Sequence, residues 1–307
     1  MQIYLPIAEL PVNVLVVLAM GAAVGFVSGL FGIGGGFLMT PLLIFLGIPH
    51  AVAVATETAQ IAATSMTGAL SYQRRRAVDF KLGGVLVAAG LAGTLLGVWF
   101  FNVMRRIGQL ETVISLSYVV LLGGIGGLML FESLRALLRK RQGLPAPLKR
   151  GARPWWFALP LRVRFHRSGL YISVIPVAAL AIAISFVGAV LGIGGGFILV
   201  PALIYLFGVP TAVVVGTSLF QILWTMLAAV VLHAVTNQSV DIVLATLLTV
   251  GGVLGVQAGA RMGQRLTGES FRLLLALLIL LVAARFASDI VGAPAEPFSL
   301  GPMERRV

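Results

Sequence analysis

The sequence contains no cysteine, which excludes disulfides, thiol nucleophiles and cysteine-based metal sites. Charge is nearly as scarce: Asp, Glu, Lys and Arg make up 10% of the chain, against roughly 25% in soluble domains. Only three histidines are present, and no HExxH, Ser-His-Asp or phosphate-loop Lys-Ser/Thr pattern occurs, so neither an enzyme nor a bound cofactor or metal is expected. His50 and His233 share no ligand spacing and read as residues at helix edges facing the membrane interface.

Apolar residues fill the space those absences leave. They form 59% of the chain, the mean hydropathy is +1.04, and the windows 12–31, 80–101 and 271–284 carry almost no charge. Such runs approach the ~20 residues that cross a ~30 Å hydrocarbon core as helix, and they lack the alternation of a membrane barrel. The fold class expected is an all-α polytopic integral membrane protein. The net charge of +12 does not argue for nucleic acid, because ten of the 22 Lys and Arg lie within 131–169, the signature of a cytoplasmic loop. Trp155 and Trp156 among them suggest contact with anionic headgroups. The first apolar run has no basic residues before it and is expected to be retained, not cleaved.

The chain repeats itself. "GIGGGF" at 32–37 recurs at 192–197 with Pro41 and Pro201 following, an offset of 160; "GIPHAVAVATETAQI" matches "GVPTAVVVGTSLFQI" at 161; Asp79, Gly90, Gly93 and Gly97 match Asp241, Gly252, Gly255 and Gly259 at 162. Two homologous repeats are expected, 10–131 and 170–291, joined by a basic cytoplasmic linker at 132–169. Each reads as an apolar helix, a glycine break, a short helix and three longer helices. A short helix of some ten residues covers only ~15 Å, so the break is either a re-entrant turn or part of a broken crossing. Five crossings per repeat make the halves inverted and four make them parallel; the basic-free N-terminus favours inversion.

Irregular backbone at membrane depth is tolerated only beside protein or a water-filled cavity. The glycine breaks should therefore line a cavity, with the exposed N–H groups and positive dipole end of the next helix offering an anion site. That makes Gly32, Gly34, Gly35, Gly36 and Phe37 in the first copy, and Gly192, Gly194, Gly195, Gly196 and Phe197 in the second, the candidate substrate-binding residues. Thr56 and Gln60, with Thr217, Ser218 and Gln221, sit at helical spacings beside the breaks and are candidates to line the same path. Glu57 is a carboxylate in an apolar span, costly and hence a functional hypothesis by default; proton coupling is the role expected of it. Asp79 and Asp241 read as helix N-caps, and the small-residue patterns at 21–25, 25–29 and 93–97 as packing faces.

At "GFVSGLFGIGGGFLMTPLL", its second copy, and the segments "ATETAQ" and "GTSLFQ", the sequence resembles the TauE/SafE sulfite exporter family of membrane permeases. The resemblance covers nearly the whole chain apart from the linker and the tail after Ser288. It implies a multi-pass protein of the cytoplasmic (inner) membrane that moves sulfite or an organosulfonate. Where the second copy has Ser218, Glu57 departs from the small hydroxyl residue expected of the family. The function expected is thus a secondary transporter working by alternating access, with an anion channel as the alternative. Its expected partners are a small anionic substrate and membrane lipid, and homo-oligomer formation is left open.

Overall fold

The computed structural model describes residues 2–31, 35–141, 160–165, 167–262 and 269–291. Among the described residues ten helices follow one another: α1 (Val14–Phe31), α2 (Gly36–Phe45), α3 (His50–Arg74), α4 (Phe80–Ile107) and α5 (Leu110–Arg141), then α6 (Val174–Leu191), α7 (Gly196–Phe207), α8 (Thr211–Asn237), α9 (Ile242–Met262) and α10 (Glu269–Val291). Five helices among the described residues, in α4, α5, α6, α8 and α9, are long and apolar enough to cross a membrane. Large apolar side chains such as Trp99, Leu128, Leu254 and Leu281 stand exposed on the outside, where lipid is their natural solvent.

Local chemistry sets the helix ends. Asp79 caps α4, its Oδ1 accepting from the amides of Lys81 and Leu82, and Gly108 closes that helix at φ +75, a left-handed turn that glycine adopts without steric cost. Asp241 caps α9 through the Leu244 amide at 3.0 Å. Pro49 and Pro210 stand at the N-caps of α3 and α8, where no amide is needed.

Two features lie outside the sequence expectation. Antiparallel hairpins precede α1 and α6: β1 (Gln2–Leu5) with β2 (Leu10–Asn13), and β3 (Arg162–Phe165) with β4 (Leu170–Ser173). They match at an offset of 160; the first buries Leu5 and the second Phe165 and Ile172. The second hairpin and the last turns of α5 occupy both ends of the segment read as linker. The helix runs past 131 to Arg141 because "FESLRALLRKR" is made of good helix formers. The linker centre, 142–159 with Trp155 and Trp156, lies outside the described residues.

The halves interlock. α1 packs in parallel along α9, where a Cβ on Gly21 would meet Leu248 O at 2.9 Å and one on Gly29 would meet Ala260 N at 2.9 Å. The matched contact is α4 on α6, with a Cβ on Gly97 2.7 Å from Phe186 O. The small-residue patterns at 21–25, 25–29 and 93–97 are therefore packing faces, and each serves a helix of the other series. At the centre α3 and α8 run antiparallel: Gly68 faces Leu219, while Gly216 faces Tyr72 and Ala77.

Candidate functional site

Between α1 and α2 the chain doubles back. A Cβ on Gly35 would lie 3.2 Å from Val24 O and 3.3 Å from Ser28 Cβ, so the chain has returned about two turns along α1 by the time α2 begins. Gly195 likewise lies against Ile184, with a Cβ position 3.2 Å from Ile184 O. In the second break Gly192, Gly194 and Gly195 hold φ of +67, +69 and +75, conformations that L-residues with a Cβ adopt at a cost. The matched Gly35 is right-handed at φ −66, so equal sequence does not give equal backbone here. Gly32 and Gly34 lie outside the described residues.

The two breaks meet. A Cβ on Gly36 would be 2.6 Å from Gly192 O and 3.0 Å from Ile193 Cα. One residue on, Phe37 stacks on Phe197 with centroids 4.6 Å apart and planes within 7°. The N-termini of α2 and α7, beginning at Gly36 and Gly196, thus converge inside the bundle. Pro41 and Pro201, each on the second turn of its helix, have no N–H to give the carbonyls of Phe37 and Phe197.

The predicted polar residues of α3 and α8 are all buried, but they do not face one common point. Thr56 Oγ1 accepts the Asp241 amide at 3.0 Å, and Thr217 Oγ1 accepts the Asp79 amide at 3.0 Å. These two hydroxyls hold helix starts of the opposite series. Gln221 Nε2 donates to Ser185 Oγ at 2.9 Å and lies 2.9 Å from where Gly90 would carry a Cβ. Gln60 Nε2 lies 2.6 Å from the corresponding point at Gly252; those glycines make room for the amides. Among the described residues, Ser218 Oγ and Gln221 Oε1 have no hydrogen-bond partner.

Glu57 is fully buried in α3, and so are Tyr118 on α5 and Thr40 on α2. Tyr118 Oη donates to Leu191 O at 2.8 Å and Thr40 Oγ1 to Gly192 O at 3.3 Å. Sequence reading missed both residues. The available signal was a lone polar side chain in an apolar run, Thr40 standing where the second copy has Val200.

The histidines divide. His50 is partly exposed at the head of α3, 3.9 Å from Glu111 Oε1. His233 is not interfacial but fully buried: its Nε2–H faces Ala189 O at 3.3 Å, Nδ1 accepts from Asn237 Nδ2 at 2.9 Å, and the ring packs edge-on against Phe101. With both nitrogens satisfied, the imidazole tolerates burial. Among the described residues no three His, Asp or Glu side chains gather into a metal-binding group.

The family model described as sulfite exporter TauE/SafE matches residues 17–286. The chain belongs to that family. Similar proteins include the probable membrane transporter proteins YjnA and YunE of Bacillus subtilis (strain 168). YjnA is 28% identical over 86% of this chain and 96% of its own length; YunE is 24% identical over 88% and 96%. A stretch covering 34% of this chain is 31% identical to 24% of the sulfite exporter TauE/SafE family protein 3 of Arabidopsis thaliana. No solved structure matches. As a TauE/SafE member with several spanning helices, the protein is a multi-pass membrane transporter.

Proposed function

We propose that this protein is a secondary transporter that moves a small oxyanion, sulfite or an organosulfonate, across the cytoplasmic membrane by alternating access. The observation that carries the reading is the junction of the two glycine breaks, with Gly36 against Gly192 and Phe37 stacked on Phe197. Two helix N-termini converging on a buried point can neutralise an anion with backbone dipoles alone, the plan of transporters with broken helices. The glycines and phenylalanines of both breaks form the anion site, with Ser218 and Gln221 supplying side-chain contacts. Glu57 carries the coupling proton.

The repeats are read as inverted. Antiparallel packing of the sequence-matched α3 and α8 supports this. With each glycine break and its short helix together forming one broken crossing, each unit then crosses five times, with the basic linker inside and both termini outside. The substrate class comes from the family and from the Arabidopsis relative's name as a sulfite exporter family protein.

The test is purified protein in liposomes, assayed for uptake of sulfite, sulfate, thiosulfate and sulfoacetate with and without a pH gradient. Saturable uptake of sulfite or sulfoacetate, enhanced by the gradient, is expected. A non-saturating, voltage-driven current would make it a channel, and uptake of none of the four would remove the substrate assignment.

A further inference from the structure

Hydroxyls inside a helix commonly turn back to a carbonyl three or four residues earlier, and four in the two central helices do. Thr58 donates to Ala55 O at 2.6 Å, Thr64 to Gln60 O at 3.0 Å, Thr67 to Ala63 O at 3.1 Å and Thr225 to Gln221 O at 3.1 Å. Ser65 on α3 and Ser218 on α8 do not. Both are fully buried, and neither Oγ has a hydrogen-bond partner among the described residues. A buried hydroxyl left unpaired costs stability, a cost that a bound ligand would remove.

The two positions are related through the glycine breaks. Ile61 and Ile222, matched at an offset of 161, close on the second break: a Cβ on Gly194 would fall 2.8 Å from Ile61 Cγ2 and 3.3 Å from Ile222 Cγ2. Ile61 also lies against the Cβ position of Gly36 in the first break. Ser65 follows Ile61 by four residues and Ser218 precedes Ile222 by four, so each stands one turn from the junction on the face of its helix that meets it. Because α3 and α8 run antiparallel, with Gly68 facing Leu219, both displacements point the same way, toward the Arg74 end of α3. The equivalent places on the opposite side of the junction, found by the same offset, hold Glu57 and Met226. The helix ends differ as well. Arg74, Arg75 and Arg76 stand exposed where α3 ends, whereas α8 ends in the uncharged "VTN".

We propose that Ser65 and Ser218 form a second oxyanion subsite, one turn from the glycine junction on its Arg74 side, that receives a sulfite or sulfonate group on its way to the junction. The inference rests on the transport reading above and adds a sidedness to it. From the Arg74 side, assigned above to the cytoplasm, an anion is drawn in by the arginines, accepts hydrogen bonds from two hydroxyls that have no other acceptor, and moves on to the helix N-termini. From the other side it meets an acidic residue and a thioether in their place. Affinity is therefore higher at the Arg74 face, which suits loading from the cytoplasm and export.

The absence of native cysteine allows a test with two arms. In the first, Ser65→Cys and Ser218→Cys in the full-length protein are labelled in inside-out and right-side-out vesicles. Two methanethiosulfonates of similar size are compared, one ending in a sulfonate and one in a trimethylammonium group, with each rate divided by that of a free thiol in solution. Gln73→Cys, exposed near the end of α3, marks the Arg74 face. Both serine positions should react from the face that labels Gln73→Cys, and about tenfold faster with the sulfonate, the scale of one hydrogen bond to a charged ligand. Adding Ser218→Ala to Ser65→Cys should reduce that preference, and Met226→Cys should show none. In the second arm, Ser65→Ala and Ser218→Ala are assayed in liposomes for the KM of labelled sulfite presented at each face, and in detergent for thermal stability. KM should rise about tenfold more at the Arg74 face than at the other. Thermal stability should not fall, since an unpaired hydroxyl gives the fold no bond to lose.

Equal labelling by the two reagents, labelling of the serine positions only from the opposite face, or no labelling at all would overturn the proposal. So would alanine variants with the parent's KM at the Arg74 face, or with reduced stability and equal changes at both faces, which would make the hydroxyls structural. The labelling arm uses no transported substrate. If the parent moves no sulfite yet the sulfonate preference appears, the substrate reading fails and the subsite stands; if the parent moves sulfite and the preference is absent, the subsite fails and the transport reading stands.

Discussion

Thr217 accepts the backbone amide of Asp79 at 3.0 Å, tying the middle of one half to the helix start of the other. The matched pair, Thr56 and Asp241, makes the same bond at the same length. Each aspartate is held again by the hairpin segment that precedes the opposite half: Asp79 Oδ2 accepts from the Ser168 amide at 3.0 Å and its hydroxyl at 2.7 Å, and Asp241 Oδ2 from the Ile7 amide at 3.0 Å. Removing either hydroxyl leaves a buried amide without its acceptor, a cost of about 1–3 kcal/mol. Thr217→Val and Thr56→Val should each lower thermal stability in detergent by similar amounts, and the Ser variants should restore it. Unaltered unfolding of the Val variants would show that these bonds contribute nothing.

The glycines of the breaks should not tolerate substitution equally. Gly195 sits at φ +75, where a Cβ costs roughly 1–2 kcal/mol from backbone alone, whereas Gly35 is already right-handed and its Cβ would press on the movable Val24 Cγ1 at 2.8 Å. Gly195→Ala should impair transport more than Gly35→Ala. Valine at either position should abolish transport while membrane insertion, read by surface expression, remains. Equal and full activity of both alanine variants would separate the breaks from the substrate path.

Much of this fold is legible from spacing. The long apolar runs anticipate a helical membrane fold, because spanning length and composition are one-dimensional signals. The packing faces at 21–25 and 93–97 are readable for the same reason. What spacing cannot say is which half a face meets: that α1 lies on α9 and not on its own α4 follows only from three-dimensional closure. The hairpins escaped notice because four-residue strands carry too little pattern. Thr56 and Thr217 were picked out correctly as unusual buried hydroxyls, but their partners are amides 185 and 138 residues away in the chain. His233 was misplaced because an imidazole satisfied by Ala189 and Asn237 looks, in sequence, like any aromatic near a helix end.

Room for the glutamine amides is a separate requirement. A Cβ at Gly252 would stand 2.6 Å from Gln60 Nε2, and one at Gly90 2.9 Å from Gln221 Nε2. Gly252→Ala and Gly90→Ala should therefore displace those side chains and raise the substrate KM more than they lower thermal stability. Parallel measurements of uptake kinetics and unfolding would check this, and loss of stability with normal KM would assign the glycines to packing alone.

The proposed orientation can be tested directly. If the ten basic residues at 131–169 lie on the cytoplasmic side and each unit crosses an odd number of times, reporter fusions at both termini should read as external. Cytoplasmic signal from both ends, with the 142–159 segment also inside, would require an even number of crossings and reject inversion.

Glu57 separates coupling from catalysis of exchange. It is the only acidic residue between Leu10 and Arg76, it is fully buried, and Ser218 occupies the matched position. If it carries the coupling proton, it must bind H⁺ while the cavity opens to one side and release it to the other. Glu57→Gln keeps the side chain's size and hydrogen-bonding capacity while abolishing titration. Accumulation driven by a pH difference alone should vanish in this variant, and exchange of labelled for unlabelled substrate should continue. Gradient-driven accumulation that survives the substitution would exclude Glu57 as the coupling group, and loss of exchange as well would assign it to the anion site or the fold. The glycine junction would stand after either result, since it rests on the meeting of Gly36 with Gly192 and Phe37 with Phe197 and draws nothing from this carboxyl.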